Sequence, residues 1–118
     1  MKAGTSPATP AANTLYQDAF PKAWVRFNGS TATIAASFNV ASVSHPSTGR
    51  YTITWTTPFA SANYAVLCTS MLAGSSIGLC GVESYASGSI HIDTTSITAG
   101  NTGGVDQDLI TVVAFGAQ

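Results

Sequence analysis

Residues 50–56 alternate without a break, with Tyr51, Ile53 and Trp55 at one parity and Thr52, Thr54 and Thr56 at the other. A period of two sends successive side chains to opposite faces, so this stretch is a strand with one face in a core and one outside it. A helix would need an apolar stripe of period 3.6, which the stretch lacks. Residues 89–95 repeat the pattern, with Ile90 and Ile92 on one side and His91 and Asp93 on the other, just after the turn residues Ala86-Ser87-Gly88.

Two further segments, 64–69 and 109–115, are apolar at both parities, which suits strands buried between two layers or between subunits. Strands are also expected over 23–28, over 33–43 with a bulge near Ala41, and over 77–82. Phe27-Asn28-Gly29-Ser30 reads as a hairpin turn with a two-residue loop, Asn-Gly supplying the positive φ, and His45-Pro46-Ser47-Thr48-Gly49 reads as a longer turn. No helical stretch and no long repeat is visible. About seven short strands at this spacing predict an all-β fold, a single antiparallel β-sandwich.

A chain of 118 residues has material for one core. Residues 1–21, with Pro7, Pro10, Pro21 and small residues, read as an extended lead or linker, and 22–118 as the β-domain. Leu15, Tyr16 and Phe20 are apolar exceptions in the lead and make it a candidate docking arm on a neighbouring subunit.

Hydrophobic residues make up 45% and charged residues 8%, where soluble domains average roughly 25% charged. So little charge is explained if copies of the chain bury much of the surface. Lys2, Lys22, Arg26 and Arg50 are dispersed and the net charge is −1, so no nucleic-acid partner is expected. No apolar run approaches the roughly 20 residues of a spanning helix, so no membrane insertion is expected. No secretory signal is visible in the first ten residues. Cys68 and Cys80 are therefore expected as free, buried thiols, although a disulfide between them would contribute about 3 kcal/mol.

The sequence offers no catalytic constellation. The carboxylates Asp18, Glu83, Asp93, Asp106 and Asp108 form no recognisable pair, and Asp106-Gln107-Asp108 follows two glycines and reads as the cap of a solvated turn. His45 precedes a proline in a turn and reads as a solvated loop residue, and neither it nor His91 sits in a nucleophile elbow. His91 and Asp93, at i and i+2, make only a partial metal pair, so neither metal nor cofactor is expected. Sugar recognition combines an aromatic ring with nearby amides and carboxylates. Tyr85, in the polar run Glu83-Ser84-Tyr85-Ala86-Ser87, fits that description best, with Glu83 beside it. Asn101, Thr102 and Asp106 in the Gly-rich loop form a second candidate group.

The run Lys22-Ala23-Trp24-Val25-Arg26-Phe27-Asn28-Gly29 resembles the C-terminal tip domain of bacteriophage and prophage tail fibres and tailspikes. It is followed in order by Ala36-Ser37-Phe38-Asn39-Val40-Ala41-Ser42-Val43, Thr48-Gly49-Arg50-Tyr51-Thr52-Ile53 and Asn63-Tyr64-Ala65-Val66. The likeness extends to Asn13-Thr14-Leu15-Tyr16 and to Val112-Val113-Ala114-Phe115-Gly116, with 70–104 unmatched. Ala35-Ala36 stand where more charge is usual in such domains.

The resemblance implies a non-enzymatic homotrimer at the end of a fibre shaft, promoting trimerisation and contacting a host surface polysaccharide or lipopolysaccharide. It also implies residence in the virion after assembly in the bacterial cytoplasm. The alternatives are a carbohydrate-processing hydrolase fragment with an inter-subunit site and a capsid decoration protein.

Overall fold

A computed structural model of the chain describes residues 19–72, 76–97 and 103–118. The described residues form eight strands: β1 (Ala23–Asn28), β2 (Thr33–Phe38), β3 (Val40–Ser47), β4 (Arg50–Trp55), β5 (Ala65–Leu72), β6 (Ser76–Ala86), β7 (Ser89–Ser96) and β8 (Leu109–Phe115). They join in one antiparallel sheet ordered β2-β1-β8-β5-β6-β7-β4-β3, nearly closed into a barrel. The fold is all-β, as the alternation requires. The sequence reading differs in counting about seven strands and arranging them in two sheets.

The extra strand comes from Asn39. The segment 33–43, expected as one bulged strand, breaks there, because Asn39 adopts φ 56°, a left-handed conformation that Asn tolerates better than most residues. Its side-chain amide donates to the Lys22 carbonyl at 3.0 Å and the Thr57 carbonyl at 3.1 Å, and its side-chain oxygen accepts from the Thr57 amide at 2.6 Å. The chain thus leaves its partner β1, turns a corner and pairs with β4, so consecutive strands form the two ends of the sheet. Phe38 is 55% exposed beside this corner.

The core follows the alternation. Ala23, Val25 and Phe27 of β1, Tyr51, Ile53 and Trp55 of β4, Ile90 and Ile92 of β7, and Ile110, Val112 and Ala114 of β8 are all buried, with Phe59 closing one end. Each fully buried aliphatic side chain contributes about 1.5–3 kcal/mol of transfer free energy. His91 and Asp93 face outward, as their parity predicted.

Two local expectations are corrected. The β1–β2 hairpin has four loop residues, 29–32, and its positive φ falls on Ala32 at 54°. Gly29 is needed for close approach: its amide donates to the Gln107 carbonyl at 2.8 Å, and a Cβ there would sit 2.8 Å from Ile110 Cδ1 and against the Tyr51 hydroxyl.

Cys68 and Cys80 form a disulfide, with Cα atoms 5.9 Å apart. The β5–β6 register sets Ser70 opposite Gly78, and two residues further along it brings the two cysteines face to face. The expectation of free thiols fails because a separation of 12 becomes a contact only once the hairpin forms.

Candidate functional site

Neighbouring residues of paired strands share a face, so register assembles outward rows. Arg50 of β4 lies opposite Asp93 of β7, and Asp93 lies opposite Gly81 of β6. The next row is Thr52, His91 and Ser84, in which Thr52 Oγ1 and His91 Nδ1 are 3.0 Å apart. The ladder shifts between Val82 and Ser84. This bulge turns Glu83 outward, where its Oε1 is 3.8 Å from Arg50 Nη1. Arg50 Nε is 3.7 Å from Asp93 Oδ1. All three side chains are about half exposed, so these contacts orient the groups more than they stabilise the fold.

Beside this triad runs a groove of about 500 Å³, lined among others by Gly49, Arg50, Leu79, Gly81, Asp93 and Gly104. A Cβ on Gly81 would meet nothing within 4 Å, so the strand floor is open there. The groove offers a planar, five-donor guanidinium, the Asp93 carboxylate and the hydrophobic flank of Leu79, with the Glu83 carboxylate behind the guanidinium. That set suits a neutral, hydroxyl-rich ligand with both donors and acceptors.

A second polar cluster shapes the end of the groove. Asp106 Oδ1 accepts from the Gly49 amide at 2.6 Å and the Tyr51 hydroxyl at 3.1 Å, and lies 2.8 Å from His45 Nε2. The His45 ring stacks on Tyr51 with centroids 5.1 Å apart. Burial works against the Asp106 charge, but the hydrogen bonds from Gly49, Tyr51 and His45 outweigh it and hold the carboxyl below its ordinary pKa. Burial, aided by the charge of Asp106, pushes the Tyr51 phenol up to about 12. Gly49 has φ 71°, and a Cβ there would lie 2.6 Å from both the Thr94 carbonyl oxygen and the Val105 nitrogen. The cluster therefore clamps the β3–β4 turn onto the loop before β8.

The sequence candidates fall in different places. Glu83 reaches Arg50, which lines the groove, but is not itself part of the lining. Tyr85, 41% exposed, packs edge-on against Tyr64, with centroids 5.3 Å apart, in an aromatic group with Phe59 and Trp55. Asp106 directs one oxygen to three intramolecular partners, and Asp108 accepts from Ser30 Oγ at 3.3 Å, so the two carboxylates do not act together as one turn cap. Asn101 and Thr102 lie outside the described residues.

His45, read as a solvated loop residue, has a side chain only 24% exposed. No cluster of three or more His, Cys, Asp or Glu suited to a metal occurs among the described residues. Sequence reasoning missed Arg50 as a site residue. Its one available signal was an outward parity at the start of the clearest strand. No known protein family, curated protein or solved structure matches the chain.

Proposed function

We propose that this domain is a non-enzymatic, receptor-binding tip of a bacteriophage tail fibre or spike, working as a homotrimer. In this reading it contacts a host surface polysaccharide or lipopolysaccharide through the groove of Arg50, Gly81 and Asp93, with Glu83 holding Arg50 from behind, and the lead 1–21 joins it to an upstream shaft. The ordered blocks from Lys22 to Val66 support the tail-tip part. The observation that carries the binding part is one guanidinium held between two carboxylates beside an open glycine floor. Sugar hydroxyls both donate and accept, so a mixed set of this kind holds them in a way that a cluster of one charge would not. Asp106 acts by positioning Gly49 at the groove wall, whereas Tyr85, paired with the buried Ile90 and packed on Tyr64, lies on the other face of its strand and takes no part in the groove.

The test is a glycan array with the full chain, followed by calorimetry with a bound glycan. A charge-assisted hydrogen bond is worth about 1.5–3 kcal/mol, so Arg50→Ala and Asp93→Asn are each expected to weaken binding by roughly 10- to 100-fold. Unchanged affinity in both variants removes the groove from the reading. An array on which no glycan binds removes the glycan itself.

A further inference from the structure

Among the described residues, six large apolar side chains are exposed on the outer face of β8, β5 and β6 and just past the end of β7: Leu67 at 66%, Met71 at 47%, Ile77 at 69%, Leu79 at 56%, Ile97 at 61% and Leu109 at 39%. Register shows them to be one patch. Leu109 lies opposite Met71, and Met71 opposite Ile77. The Ile97 amide donates to the Ile77 carbonyl at 3.1 Å. Four apolar residues thus form a continuous row across neighbouring strands, which at about 4.8 Å per strand spans roughly 15 Å. The next row sets Leu79 with Thr95, Thr69 and Thr111, and the row beyond it Leu67 with Val113; Leu79 also flanks the groove, which therefore borders this patch and stays outside it.

We infer that this face is where copies of this chain pack against one another around a rotation axis running along the strands. The inference rests on the self-assembly part of the proposed function and names its surface. Area is the first argument. Six apolar residues at these exposures make a patch of the few-hundred-Å² class that marks contact sites. With its threonines and rim, the patch approaches the roughly 800 Å² per partner of a standard interface.

Charge is the second argument. Residues near a rotation axis face their own copies, so a charge there would oppose itself, and among the described residues no charged one stands in this patch. Its rims differ in sign. Arg26 of β1 lies opposite Thr111 on one side, and on the other stand Asp93 and Glu83 with Arg50 between them, two carboxylates against one guanidinium and so acidic in sum. An axis along the strands brings the basic rim of one copy towards the acidic rim of the next, whereas an axis across the strands sets like against like. A lipid surface would select a basic rim on both sides.

The test is the mass of the full chain by light scattering across a concentration series, for the wild type, Met71→Asp/Ile77→Lys and the control Phe38→Asp. Phe38 is equally exposed but lies on the edge strand β2. Far-UV circular dichroism reports whether each variant keeps its strands. The expected result is an oligomer for the wild type and the control and a folded single chain for the double variant, a threefold fall in mass if the assembly is a trimer. A double variant that stays oligomeric, or a control that also dissociates, overturns this face and leaves self-assembly standing. A wild-type monomer at every concentration overturns both.

Discussion

At the scale of single residues, Asp106 shows how one carboxylate can hold two distant segments together. Its partners His45, Gly49 and Tyr51 come from the β3–β4 turn region, more than 50 residues earlier. A carboxyl whose folded pKa lies below the unfolded value of about 3.9 contributes stability that is complete above that value. This stability is lost as the pH falls through the folded pKa. Asp106→Asn is therefore expected to cost about 1–3 kcal/mol at neutral pH and to flatten the decline in stability below about pH 4. Urea titrations at a series of pH values check both. The latch was invisible in the sequence because nothing local marks a histidine before a proline as the partner of an aspartate 61 positions away.

At the scale of elements, parity and turn chemistry carried most of the reading. β1 and β8 fall at their expected bounds because apolar residues inside and turn residues outside mark both ends. Where the reading failed, a backbone angle or a pairing made the difference. Asn39 looked like one more strand residue, and Cys68 and Cys80 looked like two small hydrophobes. The disulfide bridges neighbouring strands and constrains the unfolded chain over a separation of 12. Replacing both cysteines by Ser is expected to lower stability by about 3 kcal/mol, read from the urea midpoint. A thiol titration of the denatured, unreduced wild type should find none.

At the scale of the whole molecule, the sheet comes close to closure because its two end strands are consecutive in the chain and meet at one corner. Asn39→Ala removes three side-chain hydrogen bonds and disfavours the left-handed φ, and is expected to cost about 2–3 kcal/mol or more. Asn39→Gly keeps the φ accessible and should cost less, so comparing their denaturation midpoints separates the two contributions. β3, the other end strand, contains Pro46, which has no amide to offer a further strand. The apolar outer face also belongs to this scale. The sequence showed that residues 64–69 and 109–115 are apolar at both parities, and the structure shows that the second face is left outside the single chain.

The sequence by itself determined the all-β character, the inward residues of the alternating strands β4 and β7 and the low charge, because side-chain alternation and composition are local properties of the chain. Glu83 was legible as a site candidate for the same reason, being a charged residue in a polar stretch. Strand order, the single near-closed sheet, the disulfide, the Asp106 latch and the meeting of Arg50, Gly81 and Asp93 were decided only by the tertiary structure. Each depends on which strand lies beside which. That order is set by how the whole chain buries its alternating faces at once, and no window of the sequence contains it.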